Sequence, residues 1–126
     1  KSLALSNNLI TNLRPISNLT KIIELKLSSN NISSLNSLIK LKDLNILDLA
    51  MNQIDNIDLL KHFTGMSNLS LSFNQINDIR SLRSMQNLVY LFIGFLPCIT
   101  HHSLLAVDVF KRMSRFGLYL FLILLS

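Results

Sequence analysis

"ELKLSSNNISSLNSLIKLKDLN", residues 24–45, is one complete turn of the pattern that decides the fold. Leu25 and Leu27 alternate with polar neighbours, the mark of a short half-buried strand. Asn30 and Ile32 follow, and Leu35, Leu38, Leu41 and Leu44 then fall at every third position. A step of 22 residues in either direction finds the pattern again: Leu3, Leu25, Leu47, Leu69 and Leu91 share one phase, and Leu5, Leu27, Leu49, Leu71 and Ile93 share the next. Asn8, Asn30, Asn52 and Asn74 come three positions later, and Ile10, Ile32, Ile54 and Ile76 two beyond those. The common string is LxLxxNxI.

The remainder of each unit repeats with equal regularity. Leu13, Ile16, Leu19 and Ile22 make the first row, Ile57, Leu60, Phe63 and Met66 the third, and Ile79, Leu82, Met85 and Leu88 the fourth. A period of three suits a 3₁₀-like or extended return better than a helix of period 3.6. One such unit cannot bury its own apolar row, so neighbouring units must stack, with their strands in a parallel sheet spaced about 4.8 Å per coil. The asparagines have a physical reason too. Where the chain leaves the strand, inward-pointing backbone groups lack ladder partners, and a carboxamide with two donors and an acceptor satisfies them in successive coils. Asn8, Asn30, Asn52 and Asn74 are therefore expected to form a structural ladder.

These residues resemble the leucine-rich repeat superfamily, specifically its 22-residue class in the protein-phosphatase regulatory subunit, axonemal dynein light chains and bacterial internalins. The resemblance runs over about residues 2–95, and "ITNLRPISNLTKIIELKLSSNNIS" looks internalin-like. It implies an α/β fold: a leucine-rich-repeat solenoid, a right-handed arc with a short parallel sheet on the concave face and compact 3₁₀ or extended returns on the convex face. Residues 1–95 then form five repeats with strands starting near 3, 25, 47, 69 and 91, and residues 96–126 a C-terminal cap-like or aberrant hydrophobic tail. Intracellular members often end in a cap. Here Pro97, a possible helix over 102–113, "KRMSRF" and "LYLF" at 118–121 resemble its parts, while Leu96, Ser114 and Phe121 depart from its pattern.

Composition narrows the function classes. Hydrophobic residues make up 49% of the 126 and charged residues 15%, which excludes a disordered chain. Of the net charge of +5, residues 80–126 carry most, and the lysines of the returns, Lys21, Lys40, Lys42 and Lys61, alternate with Asp43, Asp55 and Asp58. That is a solvated face rather than the basic stripe of a nucleic-acid binder. The apolar runs at 88–99 and 116–125 fall short of the roughly 20 residues a membrane span needs, and membrane association is not expected. Cys98, His101 and His102 are too few and too close for a zinc site. The single cysteine excludes an intrachain disulfide framework. No phosphate loop, nucleophile elbow or motif-fixed acid pair is present, so neither an enzyme nor a cofactor or small-molecule site is expected.

Binding belongs on the sheet, where side chains between the buried leucines point outward. One column reads Ser2, Glu24, Ile46, Asn68, Tyr90; the next Ala4, Lys26, Asp48, Ser70, Phe92; the third, Ser6, Ser28, Ala50, Ser72, Gly94, is uniformly small. The fourth runs from polar to aromatic: Asn7, Ser29, Met51, Phe73, Phe95. Met51, Phe73, Tyr90, Phe92 and Phe95 are the expected hot region, with Glu24, Lys26 and Asp48 as a polar rim. The expected function is a non-enzymatic protein-interaction module whose partner is another protein. By the resemblance it is cytoplasmic and has a regulatory, cytoskeletal or ciliary role. The alternatives are a secreted or surface internalin-like repeat binding a host receptor, or a truncated repeat protein without autonomous function.

Overall fold

The computed structural model describes residues 1–94 and 96–97, together with the backbone of 119–121. Each LxL string is a three-residue strand: β1 Ser2–Ala4, β2 Glu24–Lys26, β3 Ile46–Asp48, β4 Asn68–Ser70 and β5 Tyr90–Phe92. A further strand, β6, comes from Tyr119–Phe121 in the tail. The six lie in chain order in one sheet, every pair parallel. From β1 to β5 the register follows the sequence period, Leu3 beside Leu25, Leu25 beside Leu47, Leu47 beside Leu69 and Leu69 beside Leu91. β6 enters out of that period, setting Leu120 beside Leu91. The ladder runs on past the strands: the amides of Asn7, Ser29, Met51 and Phe73 donate to carbonyls of the following coil at 2.8–3.1 Å.

The returns explain the three-residue spacing. Short 3₁₀ turns occupy Arg14–Ile16, Asn36–Leu38, Asp58–His62 and Arg80–Ser84. Along the second coil the amide of Leu38 donates to Leu35, Leu41 to Leu38 and Leu44 to Leu41, at 2.9–3.2 Å. The same relay of bonds to the third residue back recurs in the other coils, so the apolar side chains it spaces come to one side. A polar residue opens each turn. Asn12, Asn56 and Asp78 accept the amide two residues on through Oδ1 at 2.8–3.0 Å, and Ser34 does so through its hydroxyl at 3.4 Å.

Strand leucines and return residues meet in one continuous core. Leu25, Leu27, Ile32, Leu38 and Leu41 are completely enclosed, as are Leu49, Ile54, Leu60 and Met66 in the next coil. At the first coil the counterparts are only half-buried: Leu3, Leu5, Ile10 and Ile16 pack against the core from its end. Leu19 stays 46% exposed and Leu9 84%.

Candidate partner-binding surface

The asparagines lie behind the sheet and hold the coils in register. In Asn52 the Nδ2 amide donates to the carbonyls of Leu27 at 3.0 Å and Leu49 at 3.1 Å, while Oδ1 accepts the Ile32 amide at 3.0 Å. Asn30 and Asn74 repeat this one coil earlier and later, each bonding to the preceding coil and to its own. All three are buried. Asn8, in the first coil, is exposed and donates only within its own turn, to Leu5 and Ser6. In the fifth coil the position belongs to Leu96, which is fully buried. The Ile76 amide, where the next carboxamide oxygen would be, meets no acceptor among the described residues.

In front of the sheet stand the four outward columns. Met51 is 55% exposed and Phe73 49%, large apolar side chains held in water at the point where the chain leaves the strand. Their backbones share an unfavourable conformation: φ is +56° at Met51 and +57° at Phe73, as it is at Asn7 and Ser29 in the same column. Left-handed backbone costs an L-residue about 1–2 kcal/mol, and asparagine tolerates it best. The sequence period cannot show this. The signal was in the column nonetheless, since the first coil places Asn there.

Tyr90 and Phe92 lie on β5, 40% and 38% exposed, opposite Tyr119 and Phe121 in the register with β6. Phe95 lies outside the described residues, as do Cys98, His101, His102 and the possible cap helix over 102–113. A depression of about 300 Å³ opens in the sheet between Ile46 and Asp48 of β3, Asn68 and Ser70 of β4, and Phe92. Glu24 and Lys26 pair with each other on one strand, Nζ to Oε1 at 3.0 Å. The hydrogen bond from Lys26, with a second from Ser2, holds the Glu24 carboxyl below the usual carboxylate range. Asp48 accepts the Ala50 amide at 3.1 Å. The small column is knit by a hydrogen bond from the Ser28 hydroxyl to that of Ser6 at 2.9 Å.

On the returns the cations are dispersed among local partners. Lys21 is 3.7 Å from Asp43, Lys40 donates to Asn18, and Lys42 sits over the Phe63 ring at 5.7 Å. No helix among the described residues is long and apolar enough to cross a membrane. No cluster of three metal-ligating side chains occurs among the described residues either.

Solved structures place this architecture. An internalin (inlF) of Listeria monocytogenes is similar to the chain with a TM-score of 0.69 and 35% identity, over 71% of this chain and 26% of that one. Internalin C2 of the same organism gives 0.61 and 33%, over 75% of this chain and 52% of that one. A leucine-rich repeat protein of Leptospira interrogans gives a TM-score of 0.75 at 22% identity, covering 94% of this chain and 30% of that one. The chain thus spans from about a quarter to about half the length of these proteins. No protein-family model matches it, and no curated protein sequence matches it.

Proposed function

This chain is a leucine-rich repeat protein, and from that premise we propose that it is a non-enzymatic interaction module taking a partner protein on its concave sheet, with Met51, Phe73, Tyr90 and Phe92 as apolar anchors. One observation carries the reading. At Met51 and Phe73 a large apolar side chain is both exposed and attached to left-handed backbone, so two physical penalties coincide at neighbouring coils. The left-handed turn belongs to the coil, since Asn7 and Ser29 share it, but the fold does not require a large apolar side chain there, because those two residues fill the same position with short polar ones. Covering the two side chains with a partner recovers apolar area, and aromatic anchors of this kind dominate interface energetics. The uniformly small third column, Ser6 to Gly94, lets the partner approach the sheet closely.

Of the two settings the sequence suggests, the internalin-like one has the stronger support. The Listeria internalins share 35% and 33% identity with this chain over most of its repeats. The proposed role is therefore that of a surface or secreted repeat recognising a receptor protein, rather than a cytoplasmic or ciliary scaffold. Affinity capture tests the interaction. Wild type is compared with a Met51→Asn/Phe73→Asn variant, which keeps a residue suited to the backbone while removing the anchors. Partners recovered by wild type and lost from an equally folded variant are the expected result; undiminished recovery refutes the proposal.

A further inference from the structure

Charge on the concave face does not follow the charge of the chain. The whole molecule carries a net charge of +5. The described positions of the four outward columns contain only Glu24, Lys26 and Asp48 as ionised groups, a net charge of −1. Lys26 faces Asp48 across the ladder, yet its ammonium is turned to Glu24 at 3.0 Å. The Asp48 carboxylate uses Oδ1 for the Ala50 amide and meets no cation within ion-pair distance among the described residues. Lys26 thus leaves Asp48 as the carboxylate of this face without a cation beside it among the described residues.

That charge borders the depression in the sheet. Asp48, Ser70 and Phe92 are consecutive in the register, which sets Asp48 and Phe92 about 9.6 Å apart at two strand spacings. Ser70 between them is short, and the gap it leaves is the depression of about 300 Å³, with Ile46 and Asn68 completing its floor. A carboxylate on one wall and an aromatic ring on the other, with Ile46 as the apolar part of the floor between them, suit a long side chain with an alkyl stem and a cationic head. An acidic side chain would be repelled by Asp48. A purely apolar one would strip water from the carboxylate and offer nothing in return.

We propose that Asp48 and Phe92 form a receptor for one basic side chain, arginine or lysine, of a partner protein segment lying across β3–β5. The inference rests on the interaction reading above and adds the chemistry of the segment that is recognised. Electrostatic complementarity here sets specificity: a basic chain would otherwise favour acidic ligands, and a single negative site at the sheet centre reverses that preference locally.

Selection from a random heptapeptide library displayed on phage tests it, with wild type, Asp48→Asn and Met51→Asn/Phe73→Asn as immobilised targets. Asparagine keeps the Oδ1 acceptor for the Ala50 amide, so Asp48→Asn changes charge and little else. The expected result is enrichment of arginine or lysine at one position of the wild-type-selected peptides, with synthetic copies binding Asp48→Asn about tenfold or more weakly and with less salt dependence. Peptides without basic enrichment, or equal affinity for Asp48→Asn, overturn the receptor. If such peptides still lose binding to Met51→Asn/Phe73→Asn, the interaction reading stands and only the basic receptor falls. A selection that yields no binder of wild type above background overturns both.

Discussion

Replacing Asn52 by alanine probes the ladder at its centre, and the bonding pattern sets the expected cost. The carbonyls of Leu27 and Leu49 each accept a second carboxamide, from Asn30 and Asn74 at 2.9 Å, so each keeps one partner when Asn52 is removed. The Ile32 amide has Asn52 Oδ1 as its sole acceptor, within a residue that is fully buried. Orphaning that donor costs about 1–3 kcal/mol, and the two lost donor bonds add about 0.5–1.5 kcal/mol each at most. The sum expected for Asn52→Ala is about 2–6 kcal/mol. Asn8→Ala is the matched control: its bonds to Leu5 and Ser6 are exposed and local, so about 0.5 kcal/mol is expected. Urea unfolding followed by far-ultraviolet circular dichroism measures both. Equal losses at the two positions, or a loss below about 1 kcal/mol at Asn52, would refute the idea that the ladder acts by satisfying buried amides between coils. Asn52→Asp refines the test, since it retains the acceptor for Ile32 but turns a carboxylate toward two carbonyls; it should be worse than alanine.

The remaining expectations concern strain, packing, charge and the open end. Met51→Asn should raise stability by about 1 kcal/mol by relieving left-handed backbone at an exposed site, read as a higher urea midpoint; an unchanged or lower midpoint would show that the conformation is not costly there. Leu47→Ala, at a buried strand position, should lose about 2–5 kcal/mol, whereas Leu9→Ala should lose almost nothing. Lys26→Met should return the Glu24 carboxyl toward its ordinary titration range, followed by carboxyl NMR. Because Glu24 titrates low in the folded chain, its favourable pairing is present above its unfolded pKa and is lost as pH falls through the lower folded value. An unaltered titration midpoint in the variant would remove Lys26 as the main cause. Finally, the exposed Leu9 and Leu19 of the first coil, whose strand β1 has a neighbour on one side alone among the described residues, should make the isolated chain self-associate with concentration, and Leu9→Lys/Leu19→Lys should shift it toward monomer in light scattering. A concentration-independent wild-type monomer would contradict this.

Much of the architecture is legible in one dimension because a solenoid's long-range contacts repeat its sequence period. Leu25 meets Leu47 for the reason that it precedes it by one coil, and a three-residue apolar spacing is what a relay of 3₁₀ bonds requires. The two columns within the strands follow from strand alternation alone, whereas the Met51 and Phe73 column lies past the strand ends on left-handed backbone. Other features have no periodic signature. The openers Asn12, Ser34, Asn56 and Asp78 share the period but vary in chemistry, so they do not stand out until their amide bonds are seen. β6 falls outside the 22-residue phase, so residues 119–121 could be likened to a last strand but not assigned to the β5 edge.

The sequence by itself determined the coil, its register, the buried leucines and which residues share a column, since all of these depend on backbone periodicity and on which side chains shun water. Tertiary structure decided what the columns mean. It turned Lys26 toward Glu24 and left Asp48 with a net negative neighbourhood, kept Met51 and Phe73 exposed at the water's edge, and opened a depression over Ser70 between Asp48 and Phe92. Those outcomes turn on side-chain reach, competition between charges and the space a short residue leaves, none of which repeats every 22 residues.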